Sequence, residues 1–409
     1  MRFTLRNARL VDATTDIPDG SITIDGTLIQ AVRDASEDEA RGTGGRGETM
    51  ETTGKSIDAA NMIVMPGFID VHTHGGGGFN LHTPDVNEIR SYARWVPQTG
   101  VTSFLAGVVG IPGALPEEQL QAAVQAIESF GHQAPAAELL GIHLEGPYIS
   151  LHRRGAHSPE WLRKPDPAET ERVLELTRGH LRIVTLAPEL PGAPAMIRRL
   201  VEAGVTVSIG HTDATYEQAC EAIQLGATHM THCFNAMRPL HHRNPGPIAA
   251  IVQNAKVRGE LIADGVHVHP AIMNVLVKAL GPERTIVITD ALAAAGIDDP
   301  TFEFAGQPAH VICGAAHLAD GTLTGSVLTM DRALRNMLTM TEATLPEAVG
   351  MLTTNPAQAI HVDNRKGCLQ SGYDADLLIF DADLNLQATI CCGTLAFATD
   401  TWRERLSEL

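Results

Sequence analysis

The sequence predicts an α/β fold: a (β/α)8 TIM-like barrel over residues 61–362, with a small β-sandwich domain built discontinuously from residues 1–60 and 363–409. Three observations carry that prediction. Eight apolar, β-rich runs alternate with segments of helical periodicity through the centre of the chain. The two ends share a different texture, short stretches in which apolar and polar side chains alternate. Imidazoles and carboxylates recur at the C-terminal ends of the central runs, where a barrel of this kind carries its active site.

From the N-terminus, residues 2–11 (RFTLRNARLV) and 21–32 (SITIDGTLIQAV) read as half-buried strands. Residues 34–54 are acidic and Gly-rich with almost no apolar content, and read as a solvated loop with no assigned function. The central runs are 62–74, 101–109, 139–147, 181–189, 205–211, 227–235, 260–267 and 285–290. Between them, 117–130, 194–203 and 216–225 space their apolar residues as helices do. An open doubly wound sheet competes with the barrel, but no G-x-G-x-x-G follows an early strand, and Gly75–Gly78 lacks that spacing. Residues 367–369 and 376–380 read as strands again, so the two ends are expected to meet around the central insertion.

Composition narrows the function. With 409 residues, 44% of them hydrophobic and 19% charged, the chain has ample core and is not globally disordered. Aromatic residues at 4% argue against a base-stacking platform. A net charge of −18 repels phosphate backbones and anionic lipids, so neither nucleic acid nor membrane is an expected partner. An anionic small substrate would need local cations. The cysteines Cys220, Cys233, Cys313, Cys368, Cys391 and Cys392 form no C-x-x-C pair and read as reduced thiols of a cytoplasmic protein. No secretory leader and no membrane-length apolar run is read in the sequence.

The run ends read His72-Thr73-His74, Glu145-Gly146-Pro147, Glu189, His211, His232, His267 and Asp290. Any one histidine is as well explained by a local hydrogen bond; a ring of them at one barrel mouth is a metal-binding and acid–base constellation. His72 and His74, two apart in a strand, share a face and converge. Glu145 closes an otherwise apolar strand and needs a cation, either a metal or an arginine such as Arg153 or Arg154. His143 lies deeper, as a structural hydrogen-bonder, and His229 points elsewhere. Glu145, His211 and His232 supply one oxygen and two nitrogens with a position left for water, the donor set of a catalytic zinc-type site. Asp290 beside such a water is the expected general base, although Asp is also a good N-cap for a helix over 291–295. The 233–246 loop concentrates cations, which suits a phosphate or carboxylate.

With these residues in place, the sequence resembles the N-acetylglucosamine-6-phosphate deacetylases of the amidohydrolase superfamily. The resemblance runs nearly end to end. It rests on PGFID at 66–70, HLEGP at 143–147, RGAH at 154–157, TLAPE at 185–189, GHTDA at 210–214, THCFNAM at 231–237, IADGVHV at 262–268, TDA at 289–291 and LTGSVLTM at 323–330. It implies hydrolysis of the substrate acetamide to glucosamine 6-phosphate and acetate. It implies Glu145, His211 and His232 as metal ligands, Asp290 as the acid–base residue, and His267 as the group that polarises the acetyl carbonyl. Substrate contacts are implied for Ala156, His157, Asn235, Ala236, Arg243, Asp264, Gly265, Val266, His267, Leu323, Thr324 and Gly325. Arg243 would meet the phosphate, across the interface of a homodimer. Because His72 and His74 are retained, a second site with Glu145 and Asp290 is implied, giving one or two divalent ions, zinc first and iron as the alternative. The galacto epimer is a rival substrate, and a non-catalytic scaffold on the same barrel a distant one. Dihydroorotase-like chemistry is disfavoured, because LRIVTLAPE holds no lysine to bridge two metals.

Overall fold

Gly67 divides the first apolar run between two sheets. A Cβ there would lie 2.0 Å from the Thr102 hydroxyl, so only glycine lets the chain pass this close to its neighbour. Upstream, Ile63–Pro66 joins a sheet made by the chain ends; downstream, Phe68–Asp70 opens the barrel. The computed structural model describes residues 2–36, 54–129, 135–297, 301–304, 307–312 and 314–406.

Phe68–Asp70, Val101–Val108, Glu138–Glu145, Leu181–Leu186, Thr206–Ile209, His229–Met230, Arg258–Ile262 and Thr285–Ile288 are parallel neighbours in chain order. Hydrogen bonds just beyond the strand ends link the eighth strand to the first. Asp290 N–H donates to His72 C=O and His74 N–H to Ala291 C=O, both at 2.8 Å, while Thr289 Oγ1 donates to Asp70 Oδ2 at 2.5 Å. Helices Glu117–Ser129, Ala193–Glu202 and Tyr216–Gln224 lie where their apolar spacing predicts. The last begins with a capping box between Thr215 and Gln218.

The barrel interior is not uniformly apolar. His143 Nδ1 donates to Val71 C=O at 3.0 Å, so its Nε2 accepts from Thr185 Oγ1 at 2.8 Å. Thr185 Oγ1 lies 2.7 Å from Thr231 Oγ1, which lies 2.6 Å from Ser208 Oγ. This hydrogen-bonded layer spans strands three to six beneath the mouth. Burial, and then the nearby His72, push the His143 imidazole down to about 3, so it stays neutral. That matches the structural role read for it.

Strands from both ends form one eight-stranded sheet, ordered Thr394–Ala398, Leu386–Cys391, Leu377–Phe380, Ile63–Pro66, Arg2–Val11, Asp16–Asp25, Leu28–Asp34, with Lys55–Asp58 also on Arg2–Val11. It encloses its own core of Leu5, Ile22, Ile24, Leu377, Ile379 and Ile390. The 21–32 stretch, expected as one strand, is a hairpin. Asp25 pairs with Leu28 across Gly26-Thr27, and Gly26 has φ +60°. Residues 367–369, expected as a strand, join no ladder; Leu369 N–H is instead taken by the Asp12 carboxylate at 2.9 Å. The sheet is tied to the barrel by buried Lys366. Its ammonium lies 2.8 Å from Glu138 at the start of strand three, and 3.0 and 2.5 Å from Asp374 and Asp376. Of the 34–54 segment, residues 37–53 lie outside the described residues.

One element had no counterpart in the sequence reading. Thr301–Phe304, Gln307–Ile312, Ala315–Leu318 and Leu323–Ser326 form an antiparallel sheet after strand eight. The Asp320-Gly321 turn between the last two strands is a hairpin signal that would have revealed it. Its last strand is fixed over the barrel mouth by Ser326 N–H donating to Asp290 C=O at 2.6 Å.

Candidate active site

Strand three ends on Glu145, whose carboxylate stands among imidazoles at the mouth. Oε1 is 3.0 Å from His211 Nε2, 3.2 Å from His232 Nε2 and 3.4 Å from His72 Nε2. Oε2 is 3.1 Å from His74 Nε2 and 3.6 Å from His157 Nε2. Asp290 Oδ1 lies 3.4 Å from His74 Nε2 and 3.6 Å from His72 Nε2. Glu145 therefore stands between two donor sets, one with His211 and His232, the other with His72, His74 and Asp290. The arginines weighed as its partner are engaged elsewhere: Arg153 Nε pairs with Asp213 at 2.9 Å, and Arg154 donates to His157 C=O at 2.7 Å. Burial alone would push the Glu145 carboxyl up, but His72 and the other facing imidazoles outweigh it and hold it well below the usual range. Asp290 is likewise raised by burial and lowered more by His72 and His74.

The residues fit a divalent cation. His211 Nδ1 donates to Arg153 C=O at 2.9 Å, so its Nε2 is bare, yet that Nε2 lies 3.0 Å from His232 Nε2. His72 Nδ1 pairs with Glu260, leaving a fully buried Nε2 with no hydrogen-bond partner. Without an ion, positive charge on His72 offsets the Glu145 carboxylate; a divalent cation would take the place of protons at the converging Nε2 atoms.

Backbone strain concentrates on the same loops. His211, His232, Phe234, Ala236 and Asp290 have φ values of 45°, 25°, 75°, 46° and 48°, a region non-glycine residues avoid. Residues 291–295 form no helix, so Asp290 caps none there. At Gly107, a Cβ would meet Thr73 C=O at 2.3 Å and His74 Nδ1 at 2.8 Å; its absence lets His74 lie against strand two.

A cavity of about 650 Å³, open to solvent, lies over these groups. Ala156, His157, Asn235, Ala236, His267, Leu323, Thr324 and Gly325 line it together with His74, Glu145, His211, His232 and Asp290. Gly155 and Leu292 line it too, and the sequence reading missed both. Gln307 Nε2 donates to Ala156 C=O at 3.1 Å, joining the antiparallel sheet to the RGAH loop.

Other residues from the sequence reading sit elsewhere. Asp264, Gly265, Val266 and Arg243 are outside the cavity lining. Asp264 instead holds His267. Oδ1 accepts the backbone N–H groups of Val266 and His267, both at 2.8 Å, and Oδ2 takes His267 Nδ1–H at 2.7 Å. Burial opposes the charged imidazole, but Asp264 outweighs it and His267 is raised. Arg243 is exposed, its guanidinium 2.8 Å from His242 Nε2. Glu189, read as part of the ring, binds Thr212 Oγ1 and Asp213 N–H, because strand four ends at Leu186 and the chain turns away. His229 points to Glu260, away from the mouth.

The comparisons agree with this architecture. The amidohydrolase family model matches residues 63–401. N-acetylglucosamine-6-phosphate deacetylase of Lysinibacillus sphaericus is 38% identical over 84% of this chain and 88% of its own. N-acetylgalactosamine-6-phosphate deacetylase of Escherichia coli O157:H7 is 37% identical over 82% of this chain and 88% of its own. A mutant N-acetyl-D-glucosamine-6-phosphate deacetylase from Mycobacterium smegmatis, solved with N-acetyl-D-glucosamine-6-phosphate, superposes with a TM-score of 0.86 at 34% identity, covering 97% of this chain and 99% of that one. In its sequence motifs, its barrel and its likeness to these enzymes, the chain belongs to the amidohydrolase family, on the branch of the N-acetylglucosamine-6-phosphate deacetylases.

Proposed function

We propose that this protein is a metal-dependent deacetylase that hydrolyses N-acetylglucosamine 6-phosphate to glucosamine 6-phosphate and acetate. The observation that carries the reading is Glu145 standing between two imidazole sets, with Asp290 and His267 on the wall of the same cavity. Glu145, His211 and His232 would hold one divalent ion, and His72, His74 and Asp290 with Glu145 a second; such ions would supply Lewis acidity and ease the deprotonation of water. Zinc is our first assignment and iron the alternative, since imidazole and carboxylate suit both.

The chain's own residues do the rest. Asp290, held ionised, takes a proton from the attacking water and returns it to the amine as the C–N bond breaks. His267, favoured in its doubly protonated form by Asp264, keeps Nδ1–H on that carboxylate and donates from Nε2 to the acetyl oxygen as it gains charge. Ala156, His157, Asn235, Ala236 and Leu323–Gly325 shape the sugar site. We place the enzyme in the cytoplasm on its cysteine pattern, and no described helix is long and apolar enough to cross a membrane.

The deciding assay is acetate release from the two 6-phosphorylated epimers side by side. A faster rate on the gluco sugar is expected; the galacto relative, at 37% identity, makes the other epimer the second reading. No release from either would leave a scaffold.

Among the described residues no lysine or arginine lines the cavity, and this supports a phosphate partner supplied from outside it. We assign this to Arg243, reaching across a homodimer, since its planar fork can give phosphate two hydrogen bonds. Arg243→Ala is expected to raise KM for the phosphorylated sugar by about 10-fold or more, the worth of one or two bonds to a charged group, and to leave the unphosphorylated sugar nearly unchanged. Mixing it with Asp290→Asn chains would rebuild one complete site per heterodimer. Equal losses on both sugars would remove Arg243 from the phosphate. No recovery after verified subunit exchange would place its action within its own chain.

A further inference from the structure

Glu260 is a carboxylate inside the barrel, fully buried and facing neither solvent nor the cavity. It belongs to the seventh strand, Arg258–Ile262, and is flanked by Gly259, Leu261 and Ile262. Such a group is retained only when its oxygens are well partnered. Three donors meet it. Oε2 accepts His72 Nδ1–H at 2.8 Å and the backbone N–H of His232 at 3.0 Å. Oε1 accepts His229 Nε2–H at 2.9 Å.

The consequence is geometric. With Nδ1–H committed to Glu260, Nε2 is the His72 nitrogen left facing Glu145 and Asp290, 3.4 and 3.6 Å away, and the one that would ligate a metal. That atom is buried without a hydrogen-bond partner, the state of an imidazole kept for a ligand. The same carboxylate holds the strained backbone of His232, where φ is 25°. We infer that Glu260 is a positioning residue that fixes the tautomer and orientation of His72 toward a metal and ties His232, in the other donor set, to the same anchor. It touches no substrate. An anionic partner on the far ring nitrogen also makes the ligating nitrogen more basic.

The inference rests on the metal-dependent reading, so its test reads metal directly. Glu260→Gln keeps the shape. It offers one neutral acceptor oxygen in place of two charged ones and can turn its NH2 toward His72, so the hold on the His72 tautomer and on the His232 backbone is loosened. Titration of metal-free protein with zinc or cobalt(II), by calorimetry and by the cobalt absorption spectrum, is expected to show the site containing His72 weakened about 10–100-fold. Cooperative unfolding of the metal-free variant should stay close to that of the unaltered protein. Unchanged affinity and stoichiometry at both sites would overturn the inference, whether or not the protein hydrolyses an amino-sugar phosphate. A weakened site in a protein with no deacetylase activity would uphold it while overturning the proposed function.

Should Glu260→Gln fail to fold, the unaltered protein still decides. Proton–nitrogen correlation spectra of histidine-labelled, metal-loaded protein are expected to show a strongly downfield Nδ1–H signal that is absent from His72→Gln. Finding His72 protonated at Nε2 and bare at Nδ1 would overturn the inference.

Discussion

Removing metal from this protein is expected to lower hydrolysis by several orders of magnitude, and restoring zinc or iron to recover it. The reason lies in what the site lacks without an ion. Among the described residues no lysine or arginine lines the cavity, so without an ion the water is left to Asp290 and the acetyl oxygen to His267. A bound divalent ion would bring the pKa of water down to about 7, which no carboxylate can replace at neutral pH. Glu145, with imidazoles at 3.0–3.4 Å from one oxygen and 3.1–3.6 Å from the other, is the group such ions would share. Purified protein should carry about one to two divalent ions per chain, measured by plasma mass spectrometry on the sample used for rates. Activity that survives rigorous chelation, with metal verified absent, would sink the mechanism. His72→Ala separates the two donor sets. If the second set holds an ion, this change lowers metal content and rate together; if neither moves, the H-x-H pair holds no metal.

How much of this could be read from the sequence depends on what the signal was. Periodicity located the strands, because burial on both faces forces continuous apolar runs such as 101–109 and 139–147. Their polar ends located the mouth. What failed was local. The 227–235 run holds a ladder of only His229–Met230, because the chain leaves the sheet to place His232, Phe234 and Ala236 at positive φ. Nothing in those residue types announces a left-handed backbone; the surrounding hydrogen bonds impose it. The 62–74 run was split by Gly67, whose reason is a contact with Thr102, distant in sequence. The resemblance implies Asp264 as a substrate contact, and only the side-chain geometry shows it holding the His267 ring. Glu260 was legible and overlooked. The argument that singled out Glu145, a carboxylate in an apolar strand, applies to it equally.

Asp290→Asn is expected to lower kcat by about 10²–10⁴-fold, the usual contribution of a positioned acid–base group. The structure makes this a clean replacement. Asp290 has φ 48°, which asparagine tolerates nearly as well, so the turn is kept. Its backbone still donates to His72 C=O and still accepts from Ser326 N–H. Residues 291–295 form no helix, so no cap is lost with the carboxylate. What disappears is an acceptor able to take a proton, on a group that His72 and His74 hold below the ordinary carboxyl range despite its burial. Because that carboxylate lies 3.4 and 3.6 Å from His74 and His72, metal must be counted in the variant itself. The expected result is a slow enzyme that retains the ion of Glu145, His211 and His232, with thermal unfolding close to that of the unaltered protein. A variant that keeps this ion and turns over at nearly the original kcat would show that the proton is carried by another group. His267, committed through Nδ1 to Asp264 but free at Nε2, would then be the residue to test next.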